Sequence, residues 1–270
     1  ISMIAIAHFV AVSFYLAASA VAALPFARRV KAPVLAVVVV LLLGIGAHAT
    51  GLAALTRQTG AGSLTGLGPA LSFAGLVLAI SLVVVESLAR EVSLTLVAAP
   101  VAALVTMTGN LAGLHPFLEA QGARAVWLSM HIILSFIGIA AYATAAAAGT
   151  MYLVARRELK SAHFGAIFRF FPPLDTLDRV NHLASIAGFL GLTLGLALAA
   201  AYSLQYRALV VPQLIWGLGA WIGVSALALG RVLRGWQARR AALMSALTFA
   251  SVVLLYVVFR IASLNRGQFL

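Results

Sequence analysis

The sequence predicts an all-α fold: a polytopic membrane helix bundle of about eight transmembrane helices, with both termini on the outer (periplasmic) side. Three observations predict it. Hydrophobic residues make up 63% of the 270 and charged residues only 9%, whereas soluble domains carry about 25% charged residues. Mean hydropathy is +1.09. The apolar residues form eight stretches of roughly 20 residues, the length a helix needs to cross a hydrocarbon core. The basic residues gather at the ends of those stretches, where they set topology.

The first span is expected near 3–24. It is too long for a signal-peptide core, and its basic cluster (Arg28, Arg29, Lys31) follows it, so it reads as a retained span. Further spans fall near 34–55, 70–88 and 94–113. The fifth, near 125–154, is overlong and should tilt or project beyond the bilayer. The longest polar connection follows, about 155–180, and contains Phe170-Phe171-Pro172-Pro173-Leu174-Asp175. Its paired prolines end any helix arriving from the fifth span, and Asp178 is placed to cap the sixth. The last three spans lie near 181–204, 212–231 and 241–262. Gly188, Gly191 and Gly195 on the sixth and Gly219 with Gly223 on the seventh give small-xxx-small faces for close packing. With no soluble domain or convincing repeat, residues 1–270 read as a single transmembrane domain.

Orientation follows from charge. One set of connections carries Arg28, Arg29, Lys31, Arg90, Arg156, Arg157, Lys160, Arg169, Arg179, Arg231, Arg234, Arg239 and Arg240, thirteen of the 18 basic residues. The opposite side has Arg57, Arg124, Arg207 and Arg266, with Arg260 inside the last span near that face. The richer side is therefore cytoplasmic. This pattern belongs to a lipid bilayer partner and excludes a phosphate-binding face for nucleic acid. Absence of cysteine excludes disulfides, thiolate ligands, iron–sulfur clusters and covalent haem attachment to this chain.

Chemistry points to the histidines. A rise of 1.5 Å per residue puts His8 roughly 8 Å, His131 roughly 9 Å and His48 roughly 11 Å below the outer face. An imidazole in hydrocarbon is a candidate functional group, and it ligates iron, copper and zinc. The shared depth predicts one outer-leaflet pocket between the first, second and fifth spans. His115 lies in the loop above; His182 and His163 lie towards the cytoplasm. Each intramembrane histidine also has a plain structural reading, a hydrogen bond across a helix interface. Apolar walls with Trp127, Phe136, Tyr142 and Tyr152 near paired histidines suit a non-covalent b-type haem better than zinc. His131 and His48 would be the axial ligands to haem iron, with His8 beside them and Trp127 on the ring. Arg124 or Arg260 would stand near a propionate, although Arg260 can also simply snorkel to the interface. All six acidic residues lie in loops or at span ends, which argues against proton pumping. No Ser/His/Asp set, phosphate loop or HExxH pair is present, so no reaction of its own is expected.

From Trp127 to Trp236 the chain resembles the cytochrome c assembly membrane proteins of the CcsA/HemX type, nearest the small YpjD-like inner-membrane proteins. The resemblance rests on Trp127-Leu128-Ser129-Met130-His131 and Tyr152-Leu153-Val154-Ala155-Arg156-Arg157, then Pro172-Pro173-Leu174 and Leu177-Asp178-Arg179. Gly188-Phe189, Leu192-Thr193-Leu194-Gly195 and Gly235-Trp236-Gln237-Ala238-Arg239-Arg240-Ala241-Ala242 complete the series, and Gly46-Ala47-His48-Ala49 extends it. It implies an eight-helix haem-handling protein of the bacterial inner membrane, with the position of His131 a haem ligand in larger members. It also implies a tryptophan-rich outer loop and a second outer histidine. Here that loop, about Gln205 to Gln213, has no tryptophan, and Ser263-Leu264-Asn265-Arg266-Gly267 has no histidine. A family histidine before the Gly-Trp motif is replaced around Leu229-Gly230. The expectation is therefore an accessory or regulatory haem-handling protein of cytochrome c maturation that does not ligate the apocytochrome. Its expected partners are other maturation or membrane-complex subunits. The alternatives are a structural subunit without cofactor and, less well supported, a small-solute transporter lacking embedded acids or broken helices.

Overall fold

The computed structural model describes residues 3–25, 33–60, 62–89, 92–116, 122–161, 171–207 and 211–264. Among them are eight helices and no strand: α1 (Met3–Ala22), α2 (Val34–Thr59), α3 (Leu67–Ala89), α4 (Ser93–Leu111), α5 (Gly122–Ser161), α6 (Leu174–Tyr206), α7 (Val211–Arg234) and α8 (Ala238–Leu264). All eight are long and apolar enough to cross a membrane. They coincide with the expected spans, except that α5 runs on to Ser161 and α6 already begins at Leu174.

The start of α6 corrects one expectation. Pro173 stands at its N-cap with φ −52° and ψ 147°, and Asp175 lies in its first turn. Proline suits a helix start because its missing N–H is not needed there. Asp178 thus lies a turn inside the helix, where it forms an ion pair with Arg231 of α7 instead of capping.

The chain divides into two compact units, Ile1–Phe136 and Ile137–Leu270. The division falls within α5, so no linker marks it in the sequence. In the first unit α1 packs on α2 and α4, and α3 packs on α2 and α4. Its core gathers Ile4, Leu52, Leu55, Leu64 and Leu76, with Ile132 and Ile133 of α5 against them. Pro100 interrupts the hydrogen bonding of α4, since a proline has no N–H for the carbonyl four residues back. That carbonyl, Leu96 O, accepts instead from Ser19 Oγ of α1 at 2.9 Å. In hydrocarbon such a freed group must find a partner inside the protein.

In the second unit α7 packs on α6 and α8 around Tyr142, Leu192, Ala220, Val224, Leu227 and Val252. The glycine face of α6 is used: a Cβ on Gly188 would lie 3.2 Å from both Gly138 O and Tyr142 N of α5. Deeper in the same unit, Asn181 Nδ2 donates to Ala145 O at 2.6 Å and to Ser245 Oγ at 2.8 Å. Its Oδ1 accepts from Arg231 at 3.0 Å. One amide and one guanidinium therefore join α5, α6, α7 and α8. Arg231 counts towards topology in the sequence, but its side chain is only 9% exposed and also holds the unit together.

A Cβ on Gly138 would come within 2.6 Å of Leu192 N, backbone that cannot yield. Gly138→Ala should therefore cost about 1–3 kcal/mol. Gly46→Ala meets nothing within 4 Å and should be neutral, or stabilise by up to about 1 kcal/mol through helix propensity. Denaturation in mixed detergent micelles measures both.

Candidate functional site

The site grows from two complementary helix faces. The buried face of α1 carries Ile4, His8, Ala11, Tyr15, Ala18 and Ala22, a regular three-and-four spacing. The buried face of α2 answers with Gly44, His48 and Gly51. A Cβ on Gly44 would lie 2.8 Å from the Tyr15 ring, and one on Gly51 would lie 2.9 Å from the His8 ring. The two glycines are seats for the two α1 rings, and His48 fills the space between. The His8 and His48 ring centroids are 5.0 Å apart at 71°, edge to face.

Hydrogen bonding then orders the cluster in one direction. His8 Nδ1–H donates to Ile4 O at 2.7 Å, since a carbonyl only accepts. With one proton on the ring, His8 Nε2 accepts from Ser72 Oγ of α3, also at 2.7 Å. The same hydroxyl accepts from His48 Nε2–H at 2.8 Å. His48 Nδ1 accepts from Tyr15 Oη at 3.1 Å. The tautomers are assigned by this network, and every polar atom of the run Tyr15–His48–Ser72–His8 is satisfied. His8, His48, Tyr15 and Ser72 are all fully buried.

His131 is placed differently. On α5, Ile132 and Ile133 face the core of the first unit, and Phe136 meets Phe73 of α3 at 6.2 Å. At 100° per residue His131 lies about 150° round the helix from that face. It is half-buried, with its Nδ1 3.4 Å from Ser135 Oγ. Arg124 and Trp127 share its side of α5, within about 60°. Both are exposed, Trp127 by 39%. The expected common pocket of three imidazoles is thus two separate places. One is a sealed pair; the other is an open helix face. Depth along a helix says nothing about azimuth around the bundle.

The side chain of Arg260 and all of His163 lie outside the described residues. His115 is exposed in the segment after α4, and His182 is half-buried near the start of α6. Sequence reasoning missed Tyr15 and Ser72. The signal for Tyr15 was its α1 spacing from His8, and for its seat the Gly44–His48–Gly51 series. Nothing in the sequence pointed to Ser72.

The cytochrome c assembly protein family model matches residues 2–264, nearly the whole chain. The chain belongs to the cytochrome c assembly protein family. No curated protein and no solved structure matches it. Membership gives this multi-pass membrane protein a role in cytochrome c maturation.

A family that serves cytochrome c implies haem, and the two places fit it unequally. Haem iron needs an imidazole lone pair and its ring needs a flat apolar slot. In the sealed pair, the lone pair of His8 is engaged by Ser72 and that of His48 by Tyr15. The His8 ring also sits so close to Gly51, and the Tyr15 ring so close to Gly44, that even a methyl group there would clash. As arranged, His8 and His48 do not fit as ligands; they fit as an interhelical staple. The α5 face does fit: an imidazole beside an accessible indole, with a guanidinium two turns before it. Among the described residues no three His, Asp or Glu side chains gather to hold a bare metal ion.

In this assembly protein Ser72→Ala removes the shared hydroxyl and strands two imidazole nitrogens. A typical interhelical hydrogen bond in a membrane contributes about 0.6 kcal/mol. The loss here should exceed that, at about 1–2 kcal/mol, because one hydroxyl serves two buried rings. Ser251→Ala is the control: exposed, bonded only to Leu247 O of its own helix, and expected to change nothing. Unfolding titrations of the two variants side by side check this.

Proposed function

We propose that this protein handles haem during cytochrome c maturation through the outer half of α5, as an accessory or regulatory component of the bacterial inner membrane. The observation that carries the reading is the accessible line Arg124–Trp127–His131 on one side of α5. An imidazole half-open to its surroundings at that depth is costly unless it has work to do. Bound there, haem would supply the iron for His131 to ligate. Trp127 would pack against the ring and Arg124 would meet a propionate carboxylate. An open face suits transient holding, because the cargo enters and leaves without parting helices.

An accessory role is supported by the short connection between α6 and α7. Helix α6 ends at Tyr206 and α7 begins at Val211, leaving residues 207–210 between them. So few residues cannot form an outer platform for an apocytochrome, and none is tryptophan.

The sealed His8–Ser72–His48 network favours a second reading, a structural subunit whose histidines only bond between helices. Haemin titration of the detergent-purified protein separates the two. Haem handling predicts a Soret shift that weakens by more than about tenfold in His131→Ala, equivalent to about 1.4 kcal/mol. His48→Ala should lower thermal stability while leaving haem uptake near wild type. No spectral response in the wild-type protein, or equal uptake by His131→Ala, rejects the haem reading and leaves the structural one.

A further inference from the structure

We propose that the second unit binds the phosphate headgroup of an anionic phospholipid in a pocket between the last turns of α5 and the start of α8, held by Arg156, Arg157, Lys160 and Arg239. The pocket has a volume of about 570 Å³ and is lined by those four cations with Leu153 and Ser161. It lies at the end of the helices that the charge bias assigns to the cytoplasm.

Local structure builds it directly. Leu153, Arg156, Arg157, Lys160 and Ser161 follow the three-and-four spacing of one helix face, so α5 presents a basic stripe there. Glu158 falls outside that stripe. Gly149 lets α8 come against α5, since a Cβ there would lie 2.8 Å from Ala242 O. Arg239 of the first turn of α8 lines the same pocket as the stripe. That helix end adds the positive end of its dipole.

Two features identify the ligand. Among the described residues none of the four cations takes part in an ion pair, so four positive charges gather there. The wall also changes character along α5, from Leu153 to the arginines, and the neighbouring Val154, outside the pocket, is 41% exposed. Acyl chains lie against the first part and a phosphate against the second. Basic pockets between membrane helices on the cytoplasmic side recognise headgroups in this way, and four cations favour a lipid with two phosphates, as in cardiolipin. A soluble phosphate would satisfy the charges but leave the apolar rim without a partner.

The full-length protein in phosphatidylcholine nanodiscs doped with cardiolipin, read by native mass spectrometry of retained lipid, tests this. Wild type should retain cardiolipin in preference to phosphatidylcholine. The triple variant Arg156→Gln, Arg157→Gln, Arg239→Gln should lose that preference by about tenfold or more. Arg234→Gln, which removes an exposed charge from the same side outside the pocket, should behave as wild type. Inorganic phosphate added to the detergent-solubilised protein should not protect it from thermal unfolding as cardiolipin does. Equal retention of both lipids by wild type overturns the proposal even if the triple variant fails to fold. Undiminished preference in a folded triple variant overturns it too, and protection by phosphate equal to that by cardiolipin reassigns the pocket to a soluble anion.

Discussion

The hydroxyl of Ser72 is the point on which the first unit depends. It stands on α3 within hydrogen-bonding distance of a ring from α1 and a ring from α2, and it donates its proton to His8 while its oxygen accepts from His48. Water is not at hand inside an apolar bundle, so each polar atom that enters must be matched by another the protein supplies. Glycine makes the match possible. Gly44 and Gly51 bring α2 close enough to α1 for the rings to meet edge to face, and any side chain there would push them apart. The same constraint appears elsewhere in the chain. Ser19 answers the carbonyl that Pro100 releases, and Asn181 spends its amide on a carbonyl, a hydroxyl and an arginine.

This constraint divides the histidines by role. Satisfaction is also closure: an imidazole whose two nitrogens are both engaged has nothing left for a metal. His8 and His48 contribute cohesion, and they do so in the part of the chain where the expected cofactor site lay. His131 lies on the far side of α5 from the core-facing Ile132, Ile133 and Phe136, with its Nδ1 3.4 Å from Ser135 Oγ. Exposure, an indole one turn away and a guanidinium beyond it leave that face able to accept a flat apolar ligand. Family membership supplies the process, cytochrome c maturation. The placement of side chains supplies the candidate surface.

Charge is divided in a comparable way. Thirteen basic residues orient the chain, yet they are not equivalent once it folds. Arg231 turns inward to Asp178 and Asn181. Arg240 lies over the ring of Trp236 at 4.7 Å. Arg156, Arg157, Lys160 and Arg239 converge on a hollow. A residue that reads as a topology signal can thus be a core contact, a stacking partner or part of a binding surface.

The amino-acid sequence by itself determined the class and the number of membrane-length helices among the described residues. Those properties depend on local hydropathy and on a fixed rise per residue, both of which are readable along the chain. It also held the pattern that seats α1 on α2, in the spacing of His8 and Tyr15 against Gly44, His48 and Gly51. What it could not express is direction around an axis. Whether His131 turns towards His48 or away depends on which face of α5 the core selects, and that choice is made by apolar contacts from distant helices. Ser72 is the clearest case: an ordinary hydroxyl in an apolar stretch, with no neighbour in sequence to mark it, which tertiary packing placed between two imidazoles.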